Sequence, residues 1–318
     1  MPPVPGAIPG TNQPEKHFPE GTIATKRRTI TTRLAPLQRN TVMTPFKLRN
    51  SHLPIKEATL LLLGGTISAQ PSLPSSPVEA GLAGSVVARV ESPWLARSNP
   101  AAVATAPTGT FGASFSPSNL GIEGFYEGYA LAALPIDSLA GIGAAVQGVG
   151  AGGYREISGS CIGAVTLGET VRLGAALTVR SLAIDRYGAA TAATIDLGAI
   201  AWLSDRIRFG GMIANINRAE LAGAGLPERV AVGFAFDIGS STALSIDAWQ
   251  ELRRSAGLAM GLSTSPAPGL TIRGGAGSGP GTMALGVGYT AGDITIEYGG
   301  AYVVPVGFRH VIGAGIGF

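Results

Sequence analysis

The stretch that decides the fold is GTMALGVGYT, residues 281–290, followed closely by DITIEYGGAYV (293–303) and the C-terminal GFRHVIGAGIGF (307–318). In the first of these segments, large apolar residues occupy every second position, and Ala, Gly or Thr fill the positions between them. The other two segments show a similar alternation of large and small residues. A period of two residues predicts β-strands that have one apolar face and one face of small or polar residues.

The same alternation extends back to residue 108 and predicts fourteen strands, although strands two to four alternate poorly and have soft boundaries. Every second connection between them is tight, as expected for consecutive antiparallel hairpins. The predicted strands cover residues 108–116, 122–133, 138–149, 155–167, 171–183, 191–203, 206–217, 228–238, 241–250, 254–264, 269–277, 281–290, 293–303 and 307–318.

Two architectures use strands of this kind: a soluble sandwich that buries its apolar face, and a closed barrel that presents this face to lipid. A sandwich of this size would carry many charges on its outward face, whereas half of the polar face here is Gly and Ala. Closure pairs every strand edge, as hydrocarbon requires. The sequence therefore predicts an all-β fold, a 14-stranded antiparallel transmembrane β-barrel with an N-terminal plug segment, located in the cell outer membrane.

The composition excludes several other classes of protein. Of 318 residues, 45% are hydrophobic and only 14% are charged, and the mean hydropathy is +0.30. The 47 Gly, and the lack of any run of roughly 20 apolar residues, argue against a helical membrane bundle. A single cysteine and three scattered histidines predict neither a metal site nor a cofactor. The Gly-rich runs lack the Lys-Ser/Thr of a phosphate loop, and we expect no enzyme activity.

The charges divide the chain into unlike parts. Residues 1–56 hold nine Lys or Arg against two Glu, a net charge of +7, whereas the chain from Gln70 onward has a net charge of −3. We expect no nucleic-acid partner, because the basic part lacks interleaved aromatic residues. Residues 1–69 are interpreted as a leader, an upstream extension followed by a signal peptide near 43–69. Residues 70–107 are then a plug, and residues 108–318 the barrel.

Two stretches resemble a known family. Residues 81–101 combine a Gly/Ala-rich stretch with Asn99, Pro100 and Ala101 just before the first predicted strand. Residues 195–215 place an Asp-x-Gly in one predicted strand and a Gly followed by Asn in the next. Together they resemble FadL-like outer-membrane barrels, and more closely the PorV and PorQ proteins of type IX secretion.

The resemblance implies an outer-membrane barrel whose N-terminal segment, with the motif Asn99-Pro100-Ala101, plugs the lumen. It favours a PorV/PorQ-like component of type IX protein secretion, whose partners would be outer-membrane lipid, other secretion-system proteins and exported cargo. A FadL-like channel for small hydrophobic molecules is the alternative, and a structural or general pore barrel is the third interpretation. The short extracellular connections argue against a deep apolar capture pocket and so favour the secretion role.

Alternation also predicts which charged residues face the lumen. These charges are expected to pair with one another or with the plug, since unpaired charges are costly in a partly dry interior. A role in selecting what passes or binds is the second interpretation. The candidates are Arg172, Arg180, Asp196, Arg208, Arg229, Asp237, Asp247, Arg273, Glu297 and Arg309.

Overall fold

The structure is a computed structural model that describes residues 75–118, 122–252, 256–304 and 306–318. The predicted leader and signal peptide lie outside the described residues. Fourteen antiparallel strands form a closed barrel, which confirms the predicted fold class. A two-stranded hairpin (β8 and β9) lies in the connection between β7 and β10. The strands are β1 (Thr110–Ser116), β2 (Phe125–Pro135), β3 (Ala140–Ala151), β4 (Tyr154–Leu167), β5 (Val171–Ile184), β6 (Gly188–Ser204), β7 (Ile207–Ala214), β8 (Glu220–Leu221), β9 (Ala224–Gly225), β10 (Arg229–Ile238), β11 (Thr242–Glu251), β12 (Gly257–Ala267), β13 (Leu270–Gly277), β14 (Thr282–Ala291), β15 (Ile294–Val303) and β16 (Gly307–Gly317).

Each barrel strand pairs with its neighbours in sequence order, and β1 pairs with β16 to close the sheet. The start of β1 lies opposite the end of β16, so both ends of the barrel portion lie at the rim that carries the tight turns. Bacterial barrels place their short turns in the periplasm. We therefore assign this rim to the periplasmic side and the opposite rim, which carries the 215–228 connection, to the extracellular side.

One predicted strand boundary fails for a visible reason. The seventh strand was expected to cover residues 206–217, but β7 ends at Ala214. Asn215 and Arg218 both have φ of 53°, in the left-handed region that no β-strand uses. The chain turns there and forms the β8–β9 hairpin instead of continuing the wall.

The outer wall is apolar. Large hydrophobic side chains are 37–74% exposed on the outward face, including Leu285, Tyr289, Phe308 and Phe318. An exposed apolar surface of this extent is unfavourable in water but favourable in contact with lipid tails. The apolar face of the strands therefore points outward, as the barrel interpretation requires. No described helix is long and apolar enough to cross a bilayer.

The inner wall packs on residues 75–107, which run through the lumen as an α-helix (Pro77–Gly81) and two 3₁₀-helices, Pro93–Arg97 and Pro100–Thr105. We call this segment the plug. Its apolar side chains are fully or almost fully buried against inward-facing residues of β2, β4, β5 and β6. The plug and the strands around it thus form a packed core in the middle of the barrel. The plug members of this core are Val78, Leu82, Val86, Trp94, Leu95, Ala96, Ala101, Ala102 and Val103.

Inward-facing glycines make room for the plug backbone. A Cβ atom on Gly141 would lie 2.6 Å from the carbonyl oxygen of Val103, and one on Gly275 would lie 2.5 Å from the carbonyl carbon of Leu82. A Cβ atom on Gly112 would lie 2.6 Å from the Trp94 ring. The small residues of the inner face therefore serve close packing of a polypeptide.

The orientation of the wall predicts a large asymmetry between two exposed sites. Leu285 on β14 is 71% exposed, and Tyr187 in the β5–β6 turn is 69% exposed. Leu285→Arg is expected to lower the free energy of unfolding in lipid vesicles by about 2–4 kcal/mol, because it places a charge in hydrocarbon. Tyr187→Arg, the control outside the strands, is expected to change it by less than about 0.5 kcal/mol. Urea titration of both variants measures this, and equal effects would contradict an outward face in contact with lipid.

Candidate functional site

Asn99 fixes the plug to the wall, which gives the Asn99-Pro100-Ala101 motif a structural role. Its side-chain oxygen accepts the Ala101 N–H (3.1 Å) and caps the 3₁₀-helix that begins at Pro100. Its Nδ2 donates to the carbonyl oxygens of Val87 (2.7 Å) and Ala199 (3.0 Å). Asn99 is fully buried. One amide therefore joins two plug segments to the barrel strand β6.

The opposite side of the plug is held by β11 and β12. Asp247 Oδ2 accepts the backbone N–H groups of Val86 (2.6 Å) and Val87 (2.8 Å). The guanidinium of Arg89 is fully buried and donates to Ser263 and to Ser245. Charge-assisted hydrogen bonds of this kind are about twice as strong as neutral ones. The middle of the plug is therefore firmly tied to this wall.

All ten predicted lumen residues lie on the inward faces of their strands. Arg180 pairs with Glu156 and Arg208 with Asp237. Arg273 pairs with Glu297 (2.8 Å), and Arg309 pairs with Glu127 (2.9 Å). Asp247 binds the plug backbone, as described above. Any role of these residues in binding or selectivity stays a prediction.

The remaining candidates contact aromatic rings or backbone groups. The Arg172 guanidinium lies 5.1 Å from the centre of the Trp202 ring, and that of Arg229 lies 5.1 Å from the centre of the Trp249 ring. Such cation–π contacts stabilise a charge where water is scarce. Asp196 accepts the backbone N–H of Asn215 at 2.8 Å. No group of three or more His, Cys, Asp or Glu in the described part of the chain is arranged to hold a metal ion.

A cavity of about 290 Å³ lies between the plug and the extracellular half of the wall. We call it the upper cavity. Its floor is formed by plug residues that include Val86, Val87 and Arg97, and its wall by strands β2 to β7, β10 and β11. The short extracellular connections led us to expect no deep capture pocket. The structure differs because this space is made inside the barrel, where the plug leaves one side of the lumen unfilled, and needs no long loops.

A second, more polar cavity of about 830 Å³ opens on the periplasmic side of the plug. We call it the lower vestibule. It is lined by Arg89, Glu91 and Trp94 of the plug and by charged wall residues such as Arg208 and Asp237. It shares no lining residue with the upper cavity, because the plug lies between them. The plug thus separates the upper cavity from the more polar lower vestibule.

The 215–228 connection folds over the upper cavity. Leu221 of the β8–β9 hairpin is only 7% exposed and lines the cavity together with Leu226. Asn215 holds the connection in shape: its Oδ1 accepts the Ala219 N–H (2.8 Å), and its Nδ2 donates to the Leu226 carbonyl (3.0 Å). The longest extracellular connection is therefore an ordered cover over the cavity.

Several residues of this site are not among the residues predicted from the sequence, including Glu127, Tyr129 and Glu156. They lie on β2 and β4, where alternation was poor. The inward face of β2 carries Tyr129 and Leu131, which pack on the plug, while its outward face carries Tyr126 and Leu134 with small residues between them. Large apolar residues therefore lie on both faces of β2, and the alternation is weak there. Glu127 lies two residues from Tyr129, and Glu156 lies two residues from Tyr154, so each carboxylate shares a strand face with a tyrosine. This spacing is the signal in the sequence that could have identified them.

Fold and site together define a class: an outer-membrane β-barrel closed by its own plug, with a cavity on the extracellular side of the plug. No protein-family model matches the chain, and no curated protein matches it. Solved structures do. The toluene transporter TbuX of Ralstonia pickettii superimposes with a TM-score of 0.59 at 11% identity, covering 76% of this chain and 98% of that one.

Two further structures give the same result. A FadL homologue of Pseudomonas aeruginosa has a TM-score of 0.57 at 12% identity and covers 77% of this chain and 98% of that chain. The P. putida toluene transporter TodX has a TM-score of 0.58 at 12% identity, with coverages of 76% and 98%. At such low identity the likeness establishes the fold, which is that of FadL-type outer-membrane channels.

Proposed function

We propose that this chain is an outer-membrane channel that takes up small hydrophobic molecules. The observation that carries the proposal is the upper cavity, which lies on the extracellular side, is partly lined by apolar side chains and is closed below by the plug. A volume of about 290 Å³ is enough for a small aromatic molecule, since an apolar cavity of about 150 Å³ binds benzene in another protein. The printed names of the similar structures, toluene transporters among them, support the same class of ligand.

The other interpretations have less support. A PorV/PorQ-like role in type IX secretion has no observation in its favour beyond the sequence resemblance and stays a prediction, as do secretion-system and cargo partners. A general pore needs a continuous water path, whereas the plug separates the upper cavity from the lower vestibule. The similar structures are channels and transporters, which favours a non-enzymatic role.

A pair of neighbouring alanines on β3 tests the channel. Ala145 lines the upper cavity, and Ala144 faces outward. Ala145→Phe is expected to reduce toluene uptake at least about tenfold, because the added ring occupies the binding space. Ala144→Phe adds the same ring to the lipid face and is expected to leave uptake unchanged. Uptake is measured with labelled toluene in cells that lack other such channels.

Two results would contradict the proposal. One is toluene uptake that does not depend on the protein at all. The other is normal toluene uptake on deletion of the gene together with loss of other proteins from the cell surface, which would favour the secretion role. The Ala145→Phe and Ala144→Phe variants must show the same shift in gel mobility on heating, so that a folding defect in the Ala145→Phe variant is recognised.

A further inference from the structure

The upper cavity is lined by both apolar and polar groups. Phe125 of β2, Ile184 of β5 and Leu221 of the cover give it apolar surface near the extracellular rim. The paired Glu156 and Arg180 lie below these residues on β4 and β5. Deeper still, the inward-facing residues Ser160, Thr178 and Thr194 lie side by side across β4, β5 and β6. A ligand that fills the cavity therefore meets apolar groups near the rim and hydrogen-bonding groups deeper in the lumen.

The charges around the cavity are unbalanced. Five carboxylates line it, against three guanidinium groups, which gives a net charge of −2. Arg309 binds one of these carboxylates, Glu127, from outside the lining, and reduces the excess to about one negative charge. The lining residues that carry these charges are Glu79, Glu127, Glu156, Asp196 and Glu251 with Arg97, Arg180 and Arg229.

Asp196 is the carboxylate that best accounts for the excess. It lies two residues beyond Thr194 on the same face of β6, beside the polar wall. One of its oxygens accepts the Asn215 N–H at 2.8 Å, and it forms no ion pair with any residue in the described ranges. Because its side chain is only partly buried, acceptor capacity remains on the cavity side.

We propose, on the basis of the proposed channel function, that the upper cavity selects amphipathic molecules whose polar group donates hydrogen bonds, a hydroxyl or an ammonium, and rejects carboxylates. The apolar residues near the rim hold the hydrocarbon part, and the hydroxyl-rich wall with Asp196 holds the donor. A carboxylate would lose hydration and meet an acidic lining, whereas an ammonium gains Coulomb energy there and a hydroxyl gains hydrogen bonds. Asp196 is thus a specificity-determining residue.

Four probes with the same ring test this selection: toluene, benzyl alcohol, benzylamine and benzoate. Binding to the purified full-length barrel in detergent is measured by calorimetry. Benzyl alcohol and benzylamine are expected to bind more tightly than toluene, and benzoate at least about tenfold more weakly than benzyl alcohol. This comparison uses the unaltered protein and does not depend on the folding of any variant.

Asp196→Asn keeps the oxygen that accepts the Asn215 N–H and removes the charge. It is expected to weaken benzylamine binding about tenfold and to strengthen benzoate binding, with toluene unchanged. The matched control is Glu123→Gln in the exposed extracellular connection, which is expected to change none of the four affinities.

The outcomes separate the two proposals. If toluene binds and benzoate binds as tightly as benzyl alcohol, the selection for donors is wrong while the channel function stands. An Asp196→Asn variant that folds but keeps the preference for benzylamine overturns the role of Asp196. If none of the four probes binds, the proposed function itself fails.

Discussion

Glu127→Ala is expected to lower the free energy of unfolding of the barrel by about 3–5 kcal/mol, because it leaves the Arg309 guanidinium as an uncompensated buried charge. Arg309 is fully buried, Glu127 is 4% exposed, and their side chains meet at 2.9 Å. They belong to β2 and β16, the two strands that flank β1. The pair therefore spans the seam at which the barrel closes.

The same carboxylate also positions the start of the plug. Ser75 donates its hydroxyl to Glu127 and is itself contacted by Ser114 of β1, whose hydroxyl donates to the Ser75 carbonyl at 2.7 Å. Loss of Glu127 should therefore loosen the plug as well as the seam. Unfolding by urea in lipid vesicles measures the first effect, and proteolysis of the plug measures the second.

Two control variants test whether the buried charge of Arg309 causes the loss of stability. Glu169→Ala in the exposed β4–β5 turn removes a carboxylate without leaving a buried cation, and a change within about 0.5 kcal/mol is expected. The double variant Glu127→Gln with Arg309→Met removes both charges and is expected to be more stable than Glu127→Ala. If the double variant is as unstable as the single one, the buried charge is not the cause.

Gly275→Val is expected to displace the plug and open the barrel to ions. A Cβ atom at Gly275 would lie 2.5 Å from the carbonyl carbon and 2.7 Å from the carbonyl oxygen of Leu82. These are backbone atoms of the plug, which cannot rotate away as a side-chain end can. Overpacking of this kind typically costs about 1–3 kcal/mol. The plug can reduce this cost by shifting locally away from β13, which loosens its contact with the wall.

The neighbouring residue supplies the control. A Cβ atom at Gly274 would meet Leu285 Cδ2 at 3.8 Å, an ordinary contact on the outward face. Conductance across planar bilayers is expected to rise several-fold for Gly275→Val and to stay at the wild-type level for Gly274→Val. Wild-type conductance in a Gly275→Val barrel that is folded would show that the plug tolerates the added side chain and that its fit to the wall is looser than the structure indicates.

The strands were predictable where the environments of their two faces differ. On β14, Met283, Leu285 and Val287 face lipid while Ala284 and Gly286 face the plug, so the period of two is plain in the sequence. On β2 the prediction was weaker, because inward-facing residues pack on the plug and are as large and apolar as residues that face lipid. Alternation reports a difference between two faces and vanishes when both are apolar.

The candidate site was predictable only in part. The alternation of side chains along a strand predicted that Asp196 and Asp247 lie on the inner face. Which face a residue occupies depends only on its position within its own strand. Their contacts were not predictable: Asp247 caps two N–H groups of the plug, while Asp196 holds the cover of the cavity. The upper cavity itself is the volume left between plug and wall, and no segment of the sequence encodes that volume alone.

By itself, the sequence determined that the chain forms fourteen barrel strands with an apolar outward face, because each residue's side of the strand and its polarity can be read from the sequence directly. Only the tertiary structure decided which charges meet, where the plug backbone passes and what space remains beside it. The Glu127–Arg309 pair joins residues 182 positions apart. Such contacts depend on the register and closure of the whole sheet and on the path of the plug, which are cooperative properties of the folded barrel.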